Sequence, residues 1–219
     1  MNFGVVGTGK MGREIIETFQ DVGHKLVLKV NSSDQRIDGI PDVIVDFSRP
    51  EALVTTLSIC RDYKIPLVIG TTGLGQKEME ELKKASIYFP VVQSYNFSIG
   101  INLILKMLSQ FSIYLDGWDT EICETHHSHK KDKPSGTALM IKNALGRDVP
   151  IHSIRIGGVY GDHSVIFGNA GEIIEISHRA LSRKVFAMGA LKSAEWIIGK
   201  APQFYTFSEI VENMKGVEK

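Results

Sequence analysis

A glycine-rich turn close to the start of the chain constrains the fold more than any other feature. Gly7, Gly9 and Gly12 follow a short apolar segment with the spacing G-x-G-x-x-G, and apolar residues then recur at helical intervals as far as Phe19. Between a strand and a helix, the first glycine permits a tight turn, the second lets the backbone approach a pyrophosphate, and the third lets the helix pack on the strand. The pattern favours a dinucleotide-binding Rossmann domain over a set of ordinary turn glycines.

Further apolar segments continue this α/β pattern. Residues 43–45 and 67–69 are all Val, Ile or Leu, which is typical of parallel strands buried on both faces. Ligands of such sheets bind at the carboxyl ends of the strands, so the residues that follow each strand are candidates for contact with a cofactor. For Thr71 and Thr72, helix capping and turn formation are equally good explanations. The candidates from the glycine turn and the strand ends are Gly7, Thr8, Gly9, Lys10, Met11, Gly12, Phe47, Ser48, Gly70, Thr71 and Thr72.

The end of the second predicted strand bears on the choice of cofactor. An acidic residue at this position accepts hydrogen bonds from the 2′-hydroxyl of NAD and repels the 2′-phosphate of NADP. This chain has Asn31 and Ser32 there, with Lys29 close by, so the phosphate is not repelled. We expect use of both NADPH and NADH with a modest lean to NADPH. A turn that is rich in Asn and Ser for its own sake is the alternative explanation.

The segment ETHHSHKKDKPSGTA, residues 124–138, concentrates histidines and lysines ahead of a predicted helix that begins near Thr137. The N–H groups at that helix end, together with Lys130, suit a carboxylate or a phosphate. The histidines have three interpretations. A metal site is disfavoured because the adjacent His126 and His127 would point to opposite faces of a strand, and we expect no metal. A solvated basic loop is the second interpretation. In the third, a histidine donates a proton near neutral pH and Lys130 fixes the anion.

Composition argues against several other classes of protein. Basic and acidic residues number 25 each, which gives no indication of a nucleic-acid or membrane partner. The two cysteines, Cys60 and Cys123, are isolated, so neither a disulfide framework nor a cysteine-based zinc site is indicated. No apolar run reaches the roughly 18 residues of a membrane span, and no leader sequence is evident. We therefore expect a cytoplasmic protein.

The segment at 124–138 also carries a specific resemblance. It resembles the signature E-x-H-H-x-x-K-x-D-x-P-S-G-T-A of the dihydrodipicolinate reductase family. The similarity covers essentially the whole chain, including the glycine turn, DFSRPE at 46–51, GTTG at 70–73 and NFSIG at 96–100.

The resemblance implies an activity and a set of site residues. The expected reaction is reduction of 4-hydroxy-tetrahydrodipicolinate, a small cyclic dicarboxylate, to tetrahydrodipicolinate by NADH or NADPH in diaminopimelate and lysine biosynthesis. His126 would be the proton donor and Lys130 its electrostatic partner. The resemblance assigns substrate contacts to His127, Ser135, Gly136 and Thr137, and it adds Ser94, Tyr95, Asn96 and Phe97 to the cofactor contacts.

The expected fold class is α/β: an N-terminal Rossmann dinucleotide-binding domain plus an α+β substrate domain with a mixed open sheet. Beyond about residue 99, predicted strands follow one another closely and no longer alternate with helices. With the resemblance, residues 1–98 and 184–219 would form the first domain. Residues 99–183 would form the substrate-binding and oligomerisation domain, through which the family usually assembles as homotetramers.

Two other functions remain open at this point. Another NAD(P)-dependent oxidoreductase of an anionic substrate would share the glycine turn but has no evident use for the segment at 124–138. A non-catalytic redox sensor would bind NAD(P) without turnover. The chain is short for the family it resembles, which suggests trimmed loops because every functional segment is present.

Overall fold

The computed structural model describes residues 1–32 and 34–214. It divides the chain into two compact units, which we call unit 1 (Met1–Phe97 with Lys184–Lys219) and unit 2 (Ser98–Arg183). Ser33 lies outside the described residues, and so do residues 215–219, with which the predicted first domain ends. The predicted fold class is confirmed, because unit 1 is doubly wound and unit 2 contains a mixed sheet.

Strands and helices largely alternate in the first half of the chain, whereas three strands follow one another without a helix between residues 151 and 179. The strands are β1 (Asn2–Val6), β2 (Lys25–Val30), β3 (Gln35–Ile37), β4 (Val43–Asp46), β5 (Leu67–Ile69), β6 (Val91–Gln93), β7 (Asp119–His126), β8 (Ile151–Arg155), β9 (Asp162–Gly168), β10 (Ile173–Arg179) and β11 (Phe204–Thr206). The α-helices are α1 (Lys10–Asp21), α2 (Leu53–Tyr63), α3 (Gln76–Ala85), α4 (Ile99–Phe111), α5 (Gly136–Leu145), α6 (Lys184–Ile197) and α7 (Phe207–Asn213). Short 3₁₀ helices span Pro50–Ala52 and Ser112–Leu115.

Unit 1 is a seven-stranded sheet in the order β11-β6-β5-β4-β1-β2-β3. All neighbouring strands pair in parallel except β2 and β3. Apolar side chains of α2 and α3 pack on one face of the sheet, over Ile44 and Leu67. On the other face Phe3 of β1 contacts Phe19 of α1, with ring centroids 4.8 Å apart. Because both faces are covered, the carboxyl ends of the strands are the natural place for a ligand.

Unit 2 is a four-stranded sheet in the order β10-β9-β7-β8. β7 pairs in parallel with β8 and antiparallel with β9, and β9 pairs antiparallel with β10. One face of this sheet packs against α4 and α5 around a core that includes Ile122, Ile141 and Val165. The buried positions of β7 alternate, as the period of a strand requires, so Glu124 and His126 lie on the covered face.

The boundaries of some elements differ from the sequence-based expectations. Helix α5 begins at Gly136, one residue before the predicted Thr137, because the side chain of Ser135 caps it by accepting a hydrogen bond from the Ala138 N–H at 3.2 Å. The sequence patterns do not predict β3 or β11, each three residues long, since so short a segment gives little periodicity. Among the helices that the structure describes, none is both long and apolar enough to cross a membrane.

Candidate active site

A cleft of about 1000 Å³ lies at the carboxyl ends of β1, β2 and β4 in unit 1. Many of the predicted cofactor contacts line it, namely Gly7, Thr8, Gly9, Asn31, Ser32, Phe47 and Ser48. Lys10 and Met11 form the first turn of α1, and Gly12 follows them on its buried side. The N-terminus of α1 therefore lies at the glycine turn, which is where a dinucleotide pyrophosphate would gain from free N–H groups.

The glycine turn is possible only with glycine at two positions. Gly7 has a φ of +87°, and a Cβ there would lie 2.7 Å from the Cα of Ser48. A Cβ on Gly12 would collide with the carbonyl oxygen of Gly7, so α1 packs directly against the turn. Gly9, in contrast, has open space beside it. The three positions thus combine a left-handed turn, a close helix–strand contact and an accessible backbone.

A buried carboxylate holds the cofactor loops together. Asp46, at the end of β4 and 1% exposed, accepts hydrogen bonds from the backbone N–H of Ser48 at 2.9 Å and from the Ser48 hydroxyl at 2.5 Å. It also accepts from the hydroxyls of Thr71 at 2.8 Å and Thr56 at 2.6 Å. The sequence pattern around Asp46 gives no indication of this role. Asp46 joins the loops after β4 and β5 to α2, so it shapes one wall of the cleft.

Asp46→Ala is expected to lower the free energy of unfolding by about 2–4 kcal/mol, because it leaves several buried donors without an acceptor. Urea or thermal unfolding measures the change. Asp62→Ala is the matched control, since Asp62 is exposed on α2 and accepts a long hydrogen bond of 3.4 Å from Ser58. A loss for Asp46→Ala no larger than for this control would contradict the structural role of Asp46.

The remaining predicted cofactor contacts lie in the loops after β5 and β6. The backbone N–H of Gly70 donates to the carbonyl of Asp46 at 2.9 Å, and that of Ser94 donates to the carbonyl of Ile69 at 3.2 Å. The Ser94 hydroxyl donates to the carbonyl of Asn96 at 2.8 Å. These hydrogen bonds bring the two loops to the same edge of the sheet.

Four side chains of these loops differ in exposure. Thr71 is buried, and its hydroxyl accepts from the Ser48 N–H at 3.0 Å while donating to Asp46, so in this structure it supports the loop. Phe97 is also buried, between Phe47 and Phe207, with ring centroids 5.4 and 5.0 Å away. Thr72 is exposed and Tyr95 is half-buried. Of this group, Thr72 and Tyr95 offer the most side-chain surface to a ligand.

The adenosine end of the cleft contains an acidic residue that the sequence analysis missed. Asp34 lines the cleft together with Asn31 and Ser32. The Asp34 N–H donates to the Asn31 side-chain oxygen at 2.8 Å, and the Asn31 N–H donates to the Asp34 carbonyl at 2.9 Å. The ribose-binding acid is normally expected at the position of Asn31. Asp34 lies three residues later, so the usual spacing does not identify it. Arg49 lines the same cleft and supplies a cation.

In unit 2, the end of β7 brings a carboxylate and a histidine together. Nδ1 of His126 forms a hydrogen bond with Oε2 of Glu124, and both side chains are buried. Oε1 of Glu124 accepts from Arg155 of β8 at 2.8 Å and from the backbone N–H of Ser135 at 3.3 Å. Residue types in the sequence pointed to His126 but not to Glu124 or Arg155. The signal for Glu124 was available, because residues two apart on a strand share a face.

The protonation states follow from burial and charge. Burial alone would raise the pKa of Glu124, but hydrogen bonds from Arg155, Ser153 and His126 outweigh it and lower that pKa to about 2. Glu124 is therefore an anion at neutral pH. Burial lowers the pKa of His126 from its usual value, and the charge of Glu124 opposes this shift. The positive charges of Lys130 and Arg155 add to the lowering of the His126 pKa.

The predicted substrate contacts lie between the end of β7 and the first turn of α5. Lys130 is partly buried, and its ammonium group lies 2.8 Å from the carboxylate of Asp132. Ser135, Gly136 and Thr137 form the N-cap and first turn of α5, where the backbone N–H groups favour an anion. His127 lies at the end of β7, with its backbone N–H donating to the carbonyl of Val159 at 2.8 Å. Of the six predicted residues of unit 2, His126 and Ser135 contact Glu124 directly among the contacts described.

His163 of β9 is a further member that the sequence analysis missed. Its ring packs edge-on against that of His126, with centroids 5.1 Å apart, and burial above all lowers its pKa to about 3, so it is neutral at pH 7. One ligand atom each from Glu124, His126 and His163 lie within 4.8 Å of one another, which is close enough to hold a metal ion. However, both oxygens of Glu124 already accept hydrogen bonds, from Arg155 and His126. The positive charges of Lys130 and Arg155 also act on His126. This charge distribution suits an anion better than a cation.

Comparison with known proteins identifies relatives of the whole chain. The family described as "Dihydrodipicolinate reductase, N-terminus" matches residues 1–97, and "Dihydrodipicolinate reductase, C-terminus" matches residues 100–211. A 4-hydroxy-tetrahydrodipicolinate reductase of Thermosipho africanus is 54% identical over 213 residues, which are 97% of this chain and 98% of the relative. The enzyme of the same name from Clostridium novyi is 38% identical, with 94% and 96% of the two chains covered.

A solved structure has the same fold. The dipicolinate-bound dihydrodipicolinate reductase of Paenisporosarcina sp. TG-14 superimposes with a TM-score of 0.75 over 96% of this chain and 99% of that one. The sequence identity is 22%, so this similarity supports the fold alone.

Proposed function

The chain belongs to the dihydrodipicolinate reductase family, and from this premise we propose how its residues reduce 4-hydroxy-tetrahydrodipicolinate to tetrahydrodipicolinate. The protein is an NAD(P)H-dependent oxidoreductase of diaminopimelate and lysine biosynthesis. The observation that carries the residue assignment is the grouping of His126, Lys130 and the N-terminus of α5 in unit 2. Each of these groups favours or protonates an anion, which is what a dicarboxylate substrate requires.

We assign the nicotinamide nucleotide to unit 1, because the glycine turn and the cleft fit it. Gly7 and Gly12 leave no room for side chains, Gly9 leaves the backbone open, and the N-terminus of α1 favours the pyrophosphate. The loops after β4, β5 and β6 would hold the nicotinamide half. When bound, the nucleotide supplies a hydride to the substrate. The residues of unit 1 have the task of binding and orienting it.

We assign the substrate to unit 2. One carboxylate would accept hydrogen bonds from the backbone N–H groups of Gly136 and Thr137 and from the Thr137 hydroxyl. Lys130 would exchange its partner Asp132 for the substrate, and His127 and Ser135 would complete the contacts. Net binding then comes from charge-assisted hydrogen bonds to groups that α5 already holds in place.

The proton chemistry belongs to His126. Loss of the 4-hydroxyl as water leaves a conjugated ring, and hydride addition at C4 then leaves negative charge that one proton neutralises. His126 would donate that proton from Nε2, because Nδ1 is held by Glu124. Lys130 would stabilise the charge while it develops. The reaction consumes one hydride and one proton and releases one water.

An assay tests both the function and the cofactor. The substrate is generated by the preceding enzyme from pyruvate and aspartate semialdehyde, and loss of NADH or NADPH absorbance is followed in separate reactions. Turnover is expected with both cofactors. Tight cofactor binding without turnover of either would instead support a redox sensor.

The expected cofactor ratio is a modest preference for NADPH in kcat/KM. Asn31 and Ser32 do not repel a 2′-phosphate, and Arg49 lines the same cleft. Asp34 opposes the preference and keeps it small. An NADH preference greater than about tenfold, or roughly 1.4 kcal/mol, would contradict this expectation.

We also propose a cytoplasmic homotetramer, as the family resemblance implies, assembled through unit 2. The sheet face opposite α4 and α5 carries Ile154, Ile166 and Ile173, and Ile173 on β10 is 74% exposed. Apolar side chains on an open sheet face favour contact with another chain. Analytical ultracentrifugation measures the oligomeric state directly, and a monomer at micromolar concentration would contradict the proposal.

A further inference from the structure

Glu124 is the most completely enclosed charged group that the structure describes near the proposed proton donor. Its side chain is 0% exposed, and it accepts hydrogen bonds from His126, Arg155 and the backbone of Ser135. An ionised carboxylate is costly to bury unless its partners replace water. The charge of Glu124 therefore acts on the groups that contact it. Among these groups, His126 is the proposed proton donor.

The hydrogen bond from His126 to Glu124 decides which ring nitrogen can react. An ionised carboxylate can only accept, so Nδ1 of His126 must carry a hydrogen. Nε2 is then the atom that gains and loses the catalytic proton. It faces Gly161, where a Cβ would lie 3.1 Å from it. Glycine at that position leaves space beside the reacting nitrogen.

Arg155 connects Glu124 to the loop that carries Lys130. One guanidinium nitrogen donates both to Oε1 of Glu124 at 2.8 Å and to the backbone carbonyl of Asp132 at 2.6 Å. The Asp132 side chain in turn contacts Lys130. Arg155 is thus shared between the support of His126 and the support of Lys130.

Charged and titratable groups approach His126 from several elements. Glu124 on β7 favours its protonation, whereas Arg155 on β8 and Lys130 in the following loop oppose it. His163 on β9 packs against the ring, and His178 on β10 stands opposite His163. Both of these histidines have lowered pKa values, mainly through burial. Among the described residues whose charges act on His126, Glu124 is the anion and Lys130 and Arg155 are the cations, so removal of Glu124 leaves the cations unopposed.

We propose that Glu124 is a positioning residue for His126, fixing the Nδ1–H tautomer and favouring the imidazolium, and that Arg155 holds Glu124 in place. The inference rests on the proposed function for the identity of the proton donor. It concerns Glu124 and its support, which the sequence resemblance leaves without a role.

Glu124→Gln tests the proposal through the pH profile of kcat/KM. A proton donor is active when protonated, so activity falls as pH rises through the pKa of His126. Loss of the anion lowers that pKa, and the alkaline limb is expected to move down by about 1 pH unit or more. At a pH above the His126 pKa of both the wild type and the variant, kcat/KM of Glu124→Gln is expected to be at least about tenfold lower than that of the wild type. A loss of equal size at every pH, with the limb unmoved, would indicate a purely structural role and overturn the proposal.

Glu121→Gln is the matched control. Glu121 lies on the same strand and also pairs with a histidine, His152, at 2.6 Å, but both side chains are solvent-accessible. Its substitution should leave the limb in place. If the alkaline limb moved equally in Glu124→Gln and Glu121→Gln, the cause would be the overall charge of β7. That result would contradict a specific effect of Glu124 on His126.

Nitrogen NMR of the wild-type enzyme tests the tautomer without any variant or any turnover. Neutral His126 should carry its hydrogen on Nδ1, with the signal assigned by its loss in His126→Gln. A hydrogen on Nε2 would overturn the inference even if the enzyme reduces its substrate. Conversely, the protein could carry the Nδ1 hydrogen and yet fail the turnover assay. That result would support the Glu124–His126 interaction and contradict the proposed function.

Discussion

His126→Gln is expected to lower kcat by about 10²- to 10⁴-fold and to leave KM for the dicarboxylate within about threefold. Glutamine can still donate and accept hydrogen bonds, but it cannot deliver a proton at neutral pH. Because the proton is needed after the hydride reaches the ring, the loss falls on the chemical step. Steady-state kinetics with saturating cofactor measure both constants.

His152→Gln provides the comparison for this variant. His152 lies on β8, next to β7, and is exposed in a pair with Glu121. It should retain wild-type kinetics. If His126→Gln changed only KM, His126 would be a binding group and another residue would have to supply the proton.

Lys130→Ala is expected to damage both constants. Its side chain is 16% exposed, and we assign its ammonium group to the substrate carboxylate as well as to the charge that develops on the ring. Loss of such a donor lowers kcat by about 10²- to 10³-fold. Loss of a charge-assisted contact in the ground state costs about 1.5–3 kcal/mol, which raises KM by roughly tenfold or more.

The adjacent Lys131→Ala controls for the removal of a positive charge from the same loop, since Lys131 is exposed. It should change neither constant by more than about twofold. A Lys130→Ala enzyme with normal kcat and raised KM would restrict Lys130 to binding. Equal effects of the two substitutions would show that the loop acts only through its overall charge.

The sequence predicted features that depend on local pattern. The glycine turn identified the Rossmann domain because Gly7, Gly9 and Gly12 each meet a local backbone requirement, and the structure shows those requirements at Gly7 and Gly12. The close succession of strands after residue 99 predicted a second sheet, which is confirmed. His126 and Lys130 were found from residue types alone, and their catalytic roles stay predictions.

The sequence could not predict groupings that depend on strand pairing. Glu124 meets His163 and Ser153 because β7 pairs with β9 and β8 in a particular register, and neither register is encoded by local pattern. Arg155 reaches Glu124 across 31 residues for the same reason. Asp46 gathers Ser48, Thr56 and Thr71 only once two loops and a helix have come together. The cofactor candidates were therefore predicted, whereas the residue that holds their loops was not.

The path of the chain through the two units sets the order in which they can be completed during translation. Strand β6 cannot pair with β11 until β11 has emerged from the ribosome. That strand is made more than 100 residues later, after all of unit 2. Until then the edge of β6 is open and one face of the large sheet lacks α6. Unit 2, in contrast, is continuous in sequence and has all its strands as soon as β10 is made. The sheet of unit 2 can therefore form first, and the sheet of unit 1 exposes an unpaired edge, which favours association with other chains, until β11 has been made.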